Sequence, residues 1–138
     1  MMKILLVEDS RFLRIAMERA LARAGYKVVS AEDGLQAIEV AGQERPNLIL
    51  LDMLLPKMSG QEVLAALKNN PSTAGIAVVA CTGLSPKNAA RLKKDGVCAF
   101  LDKSALELEK GSEKLLAAVA EILRELPTEV PRTAGARA

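Results

Sequence analysis

Acidic residues follow two of the short apolar runs in this chain. Glu8 and Asp9 come after KILLV at residues 3–7, and Asp52 comes after NLILL at residues 47–51. An unpaired carboxylate at the edge of an apolar core is costly, so these acids need a partner. If the two runs are neighbouring strands, the carboxylates converge, and either a raised pKa or a bound cation relieves their repulsion. Magnesium is the natural cation, because one or two carboxylates suffice to hold it.

Two further polar residues follow apolar runs nearer the end of the sequence. Thr82 comes after IAVVAC at residues 76–81, and Lys103 lies two residues beyond VCAFL at residues 97–101. A carboxylate nucleophile, magnesium, a hydroxyl and an ammonium are the groups that accept a phosphoryl group and neutralise its oxygens. Asp52 is therefore the candidate phosphoacceptor, with Thr82 and Lys103 beside it.

The elements that must position these residues alternate along the chain. Runs rich in Val, Ile and Leu predict strands at 3–7, 26–31, 47–51, 76–81 and 97–101, and amphipathic stretches predict five helices. This alternation favours an α/β fold with a parallel sheet covered on both faces. We expect a doubly wound, flavodoxin-like sheet of five strands in the order 2-1-3-4-5. Ligands bind such sheets beyond the carboxyl ends of the strands, where the winding reverses.

Local signals predict where the helices begin. The second helix should open after Asp33, and the third after Ser59, which starts an S-x-x-E capping box. Ser85, followed by proline, should open the fourth helix, and Ser112 should cap the fifth. Leu92 is the one large apolar residue between positions 86 and 95, so the fourth helix should be the most weakly anchored.

Composition limits the possible functions. With 50% apolar residues among 138, we expect a single folded domain over residues 1–126 and a disordered C-terminal tail over 127–138. The net charge of +2 is dispersed, which argues against direct nucleic-acid binding. The longest apolar stretches fall short of the ~18 residues of a membrane span, and we expect a cytoplasmic protein. Cys81 and Cys98 are expected to be buried and reduced.

Taken together, these motifs resemble the receiver domains of two-component response regulators, the CheY-like proteins. The resemblance covers about residues 2–126 and rests on motifs at the ends of successive predicted strands. These are VEDS at 7–10, LLDMLLPKMSG at 50–60, Thr82, and FLDK at 100–103. No single motif is specific, but their order along the chain is.

The resemblance implies a role for each acid. Asp52 would be phosphorylated by a partner histidine kinase or phosphotransfer protein. Glu8 and Asp9 would bind Mg²⁺, with Asp52 and the backbone carbonyl of Leu54 as further ligands. The domain would act as a single-domain response regulator that signals to another protein, which the sequence does not identify. It would be no enzyme beyond its own phosphotransfer and self-dephosphorylation.

The resemblance also implies how the phosphoryl group is held and sensed. Thr82 and Lys103 would bind its oxygens, and Phe100 would be the aromatic switch that turns inward when Thr82 moves. Leu54 and Leu84 would flank the approach of the hydrolytic water. Because neither leucine can orient that water, we expect slow self-dephosphorylation.

One departure and three alternatives complete the sequence-based interpretation. Ser104 follows Lys103 where the family usually has proline, and a cis bond without proline costs roughly 3 kcal/mol, so this bond is either trans or strained.

A haloacid-dehalogenase-like phosphatase would need a second acid two residues after the nucleophile, and this chain has Leu54 at that position. A flavin-binding module would need a phosphate-binding loop where Glu8 and Asp9 stand. A receiver-fold module that acts independently of phosphorylation is the remaining alternative.

Overall fold

A parallel sheet lies at the centre of the fold. A computed structural model of the chain describes residues 2–83 and 89–126. All paired strands are parallel, and their order is β2-β1-β3-β4-β5. The strands are β1 (Lys3–Val7), β2 (Lys27–Ala31), β3 (Leu48–Leu51), β4 (Ala77–Thr82) and β5 (Ala99–Asp102). The predicted α/β fold and strand order are confirmed, and the predicted strand ends differ from the observed ones by at most two residues.

Helices connect the strands and cover both faces of the sheet. They are α1 (Arg11–Arg23), α2 (Gly34–Glu44), α3 (Gly60–Asn69), α4 (Ala89–Lys94), α5 (Lys103–Leu106) and α6 (Glu113–Glu125). A 3₁₀ turn over Leu108–Lys110 separates the last two. The sequence predicted five helices, and the additional one is α5. Its single turn shows no helical periodicity, because Leu106 is its one buried residue.

The core has two layers, one on each face of the sheet. Alternate residues of β1 and β3 pack against α2, α3 and α4, or against α1 and α6. Leu48, Ile49, Leu50 and Leu51 are all 0% exposed, as expected for a central strand covered on both sides. The carboxyl ends of β1 and β3 are therefore firmly held, and so are the residues that follow them.

The helix starts agree only in part with the predictions. Asp33 caps α2, and Ser59 forms the predicted capping box at the start of α3. Ser112 occupies the N-cap position of α6, but its side chain makes no capping hydrogen bond, so that prediction was wrong in its mechanism. Leu92 is buried in the core layer with α2 and α3, and the weak anchoring expected of α4 stays a prediction. The cap predicted at Ser85 lies outside the described residues.

Three further predictions concern the rest of the chain. Cys81 is buried in β4, whereas Cys98 is exposed just before the edge strand β5, so burial was wrongly predicted for Cys98. The predicted tail at 127–138 lies outside the described residues. Over residues 2–83 and 89–126, every helix is too short or too polar to cross a membrane.

Candidate functional site

Strand pairing brings the acids of β1 and β3 together. Val7, the last residue of β1, pairs with Leu51, the last residue of β3. Glu8 and Asp52 come next in each strand's direction, so they lie at the same edge of the sheet. The Asp52 N–H donates to the Val7 carbonyl oxygen at 3.1 Å, and the Glu8 N–H donates to the Ala31 carbonyl oxygen at 3.1 Å. The predicted convergence of the acids therefore results from the sheet register.

The three carboxylates differ in burial but lie close enough to share a ligand. Glu8 is 2% exposed and Asp52 is 4% exposed, whereas Asp9 lies at the surface. One carboxylate oxygen from each lies within 4.8 Å of the others. An oxygen-only donor set of this kind suits a hard cation such as Mg²⁺.

Lys103 reaches the same acids from the end of β5. Its Nζ donates to Glu8 Oε1 at 2.6 Å and to Asp52 Oδ2 at 2.9 Å. Burial raises the pKa of Glu8, and the ammonium only partly offsets that effect. Burial also disfavours the charge of Lys103, but the hydrogen bonds to Glu8 and Asp52 outweigh it and raise the pKa of the ammonium. The Lys103 ammonium and the carboxylates of Glu8 and Asp52 thus form one charged cluster.

Backbone and arginine donors fix the remaining atoms of these acids. The Ser10 N–H donates to Glu8 Oε2 at 3.1 Å, and the Leu54 N–H donates to Asp52 Oδ1 at 3.0 Å. Arg14 Nη1 donates to the Glu8 carbonyl oxygen at 3.0 Å. The sequence-based interpretation missed Arg14, although an arginine one turn into the first helix could have been considered as a contact to the loop before it.

The other predicted site residues occupy the same edge of the sheet or its flank. Thr82 ends β4 and pairs with Asp102, which places it next to the lysine that follows; its side chain is outside the described part. Phe100 lies on β5 and is partly buried against the core layer that contains α2, α3 and α4. The Lys103–Ser104 bond is trans, which decides between the two possibilities that the sequence left open.

The site therefore combines two buried carboxylates, one exposed carboxylate and an ammonium at the point where the winding of the sheet reverses. The ammonium pairs with two of the three carboxylates, so negative charge is left over for a divalent cation. Asp52 shares the Lys103 ammonium with Glu8, and its carboxylate lies beside those of Glu8 and Asp9.

Comparison with known proteins agrees with this geometry. Residues 4–119 match the response regulator receiver domain family. Sporulation initiation phosphotransferase F of Bacillus subtilis is 42% identical over 66 residues, 48% of this chain and 53% of that protein. The match thus spans about half of that relative's length. The polar-differentiation response regulator DivK of Brucella anthropi is 32% identical over 101 residues, 72% of this chain and 82% of that protein.

A solved structure extends the agreement to the whole fold. The Mn²⁺-bound form of response regulator Rcp1 superposes with a TM-score of 0.78 at 31% sequence identity, over 92% of this chain and 98% of that one. The chain therefore belongs to the receiver domains of two-component response regulators.

Proposed function

We propose that Asp52 accepts a phosphoryl group from a phosphohistidine of a partner histidine kinase or phosphotransfer protein, and that the modified domain signals through protein contacts. The position of the Asp52 carboxylate carries this proposal. It lies 2.9 Å from the Lys103 ammonium and beside the carboxylates of Glu8 and Asp9. The name of the Bacillus relative, a phosphotransferase, is consistent with group transfer.

The reaction is a displacement at phosphorus. One Asp52 oxygen forms a bond to phosphorus while the bond to the donor's imidazole nitrogen breaks, and the bonding electron pair leaves with that nitrogen. After transfer, Lys103 donates a hydrogen bond to one phosphoryl oxygen instead of to a carboxylate oxygen. The Thr82 hydroxyl donates to a second phosphoryl oxygen. This sequence contains no histidine, so the donor imidazole comes from outside residues 1–138.

The acids of the site fit Mg²⁺ as a resident cofactor. Glu8 and Asp9 would hold the ion, with Asp52 and the backbone carbonyl of Leu54 completing the protein ligands. When bound, Mg²⁺ supplies positive charge to the phosphoryl oxygens. The carboxylates keep this site anionic before the cation binds, because Lys103 offsets only part of their charge.

Exposed apolar side chains near the site favour a protein as the phosphoryl donor. In the described part of the chain, three large apolar residues are exposed: Phe12 at 80%, Leu35 at 64% and Leu54 at 58%. They lie shortly after β1, β2 and β3, so all three occupy the edge that carries the acids. Exposed apolar side chains at the same edge of the sheet as a nearly buried carboxylate suit docking of an apolar protein surface.

We expect the signal to reach the partner protein through the surface formed by α4, β5 and α6. Phosphorylation should draw Thr82 toward the site and let Phe100 repack against the layer that contains Leu92. An equilibrium shifts only where the two states differ in contacts, so α4, β5 and α6 should change most. Amide hydrogen exchange with and without beryllofluoride tests this, and a change confined to α1 and α2 would contradict it.

We propose that the domain turns over no external substrate and takes part only in its own phosphorylation and self-dephosphorylation. We also place it in the cytoplasm, where histidine kinases use ATP. A module that acts independently of phosphorylation would leave Asp52 unmodified, and the following experiment separates the two.

Acetyl phosphate with Mg²⁺ should add one phosphoryl group to the wild-type chain, and Asp52→Asn should abolish the addition. Asp33→Asn is the matched control, because Asp33 lies near the same edge and asparagine still caps α2. Intact-protein mass spectrometry reads out both variants. Undiminished modification of Asp52→Asn would refute the assignment.

A further inference from the structure

The backbone that carries Lys103 has little support of its own. Lys103 is the first residue of α5, a helix of 4 residues between the edge strand β5 and the 3₁₀ turn. The closing backbone contact of α5, from the Glu107 N–H to the Ser104 carbonyl oxygen, is long at 3.4 Å. Helices this short gain little from their internal hydrogen bonds, so other contacts must hold the turn in place.

Asp102 supplies the contacts at the start of this turn. Its Oδ1 accepts a hydrogen bond from the Ser104 N–H at 2.9 Å and another from the Ser104 hydroxyl at 2.7 Å. Both bonds span Lys103, since they join the residue before it to the residue after it. At the other end Leu106, 6% exposed, is fixed in the core layer with Leu115 and Val119.

We propose that Asp102 is a positioning residue, whose side chain fixes the Lys103 backbone so that the ammonium is presented between Glu8 and Asp52. The inference rests on the proposed function, because it assigns to Asp102 an effect on phosphoryl transfer. Asp102 itself does not touch the acids; it acts through Lys103. Ser104 has no ring to restrict this junction, and the pair of hydrogen bonds supplies the restriction instead.

This restraint on the backbone determines where the Lys103 ammonium lies. Lys103 Nζ contacts one oxygen of each buried acid, at 2.6 and 2.9 Å, so a rotation of its backbone moves Nζ away from at least one of them. Without the Asp102 side chain, the segment is held on one side by the pairing of β5 with β4. On the other side it is held by Leu106 and by the ion pairs of Glu107 with Lys110 and Lys114. The ammonium then occupies its position between the acids for a smaller share of the time.

The test is a double-mutant cycle between positions 102 and 103. Asp102→Ala removes the acceptor, and Asp102→Asn is its matched control, because the amide oxygen can accept both hydrogen bonds. Each is made with Lys103 present and with Lys103→Met. The first readout is the rate of phosphorylation by acetyl phosphate in saturating Mg²⁺, followed by intact-protein mass spectrometry. The second is thermal unfolding without Mg²⁺.

Asp102→Ala should slow phosphorylation about fivefold, which is the rate factor that corresponds to the free energy of one N-cap hydrogen bond. The rate of Asp102→Asn should stay within about twofold of wild type. In the Lys103→Met background, Asp102→Ala should have no further effect on the rate, because the group it positions is gone. A purely structural cap would slow both backgrounds equally, and that result would overturn the proposal. So would an asparagine variant as slow as the alanine variant.

The unfolding measurement separates this inference from the proposed function. If Asp102 positions the ammonium, Asp102→Ala destabilises the Lys103 protein more than the Lys103→Met protein. A wild-type chain that is never phosphorylated, but still shows this coupling, would reject the proposed function and retain the positioning of Lys103. Additive destabilisation would reject the positioning itself.

Discussion

Lys103→Met tests how strongly the stability of the folded chain depends on the Lys103 ammonium. The change removes the ammonium but keeps an unbranched apolar side chain. Glu8 and Asp52, which are only 2% and 4% exposed, then lose their counter-charge. Removing one partner of a buried ion pair costs ~3–5 kcal/mol. Because the Lys103 side chain is 19% exposed, we discount this to about 2–3 kcal/mol in the free energy of unfolding without Mg²⁺.

Protonation of Glu8 limits that loss at low pH. Burial raises the pKa of Glu8 in the folded chain, so the folded state binds its proton more readily than the unfolded state does. The folded state is therefore favoured at acidic pH, and this advantage disappears as the pH rises through the pKa of folded Glu8. The destabilisation by Lys103→Met should accordingly be small in acid and reach its full size near neutral pH.

Lys3→Met is the matched control. Lys3 Nζ lies 2.9 Å from Glu44 Oε1, but these side chains are 25% and 39% exposed and lie away from the acids of the site. Its loss should cost at most ~1 kcal/mol. For a chain of this size, each 1 kcal/mol lowers Tm by roughly 3 °C, so thermal unfolding followed by circular dichroism resolves the two variants.

Magnesium provides the second half of the experiment. Added Mg²⁺ should restore most of the stability of Lys103→Met, because a cation again neutralises the carboxylates, and it should raise Tm more than in wild type or Lys3→Met. If Lys103→Met is no less stable than Lys3→Met, the ammonium does not neutralise the acids. An equal gain from Mg²⁺ in all three proteins would refute the assignment of one shared cation site.

Three further predictions follow from exposure and close packing. Leu54→Asn should speed loss of the phosphoryl group several-fold by orienting a water, measured as phosphate release from purified phosphoprotein; equal or slower release would contradict it. Phe12→Ala should slow transfer from a phosphorylated histidine-containing domain while leaving modification by acetyl phosphate unchanged, and equal slowing of both would argue against a docking role. Gly60→Ala should destabilise the fold by about 1–3 kcal/mol, because its Cβ would lie 2.5 Å from Met53 Cα, whereas Gly42→Ala meets nothing within 4 Å and should be neutral or stabilising by chemical denaturation.

The parts of the fold that follow local rules were predictable from the sequence. The apolar runs became strands because buried parallel strands need no polar alternation, and Asp33 and Ser59 cap helices because their side chains satisfy free N–H groups. The strands and the helix caps depend on residue type and spacing alone. The convergence of Glu8 and Asp52 depended in addition on the expected strand order, which places β1 beside β3.

Other features depend on contacts distant in sequence. Nothing in KSALELEKG indicates a separate one-turn helix, because its shape depends on Leu106 reaching the core under α6. Cys98 lies in an apolar run yet is exposed, although its neighbour Val97 is buried in the core. The pairing of Lys103 with Glu8, 95 positions apart in sequence, could not be read from either motif.

The two sides of the charged cluster are anchored very differently. Glu8 and Asp52 extend from β1 and β3, whose Leu6 and Leu50 are at most 1% exposed, whereas Lys103 sits on a single helical turn beyond an edge strand. Mutations in the segment from 102 to 112 can therefore change the position of the Lys103 ammonium without moving Glu8 or Asp52. Substitutions in this segment could therefore alter the strength of the response in related or engineered chains without changing the acids that are proposed to bind Mg²⁺.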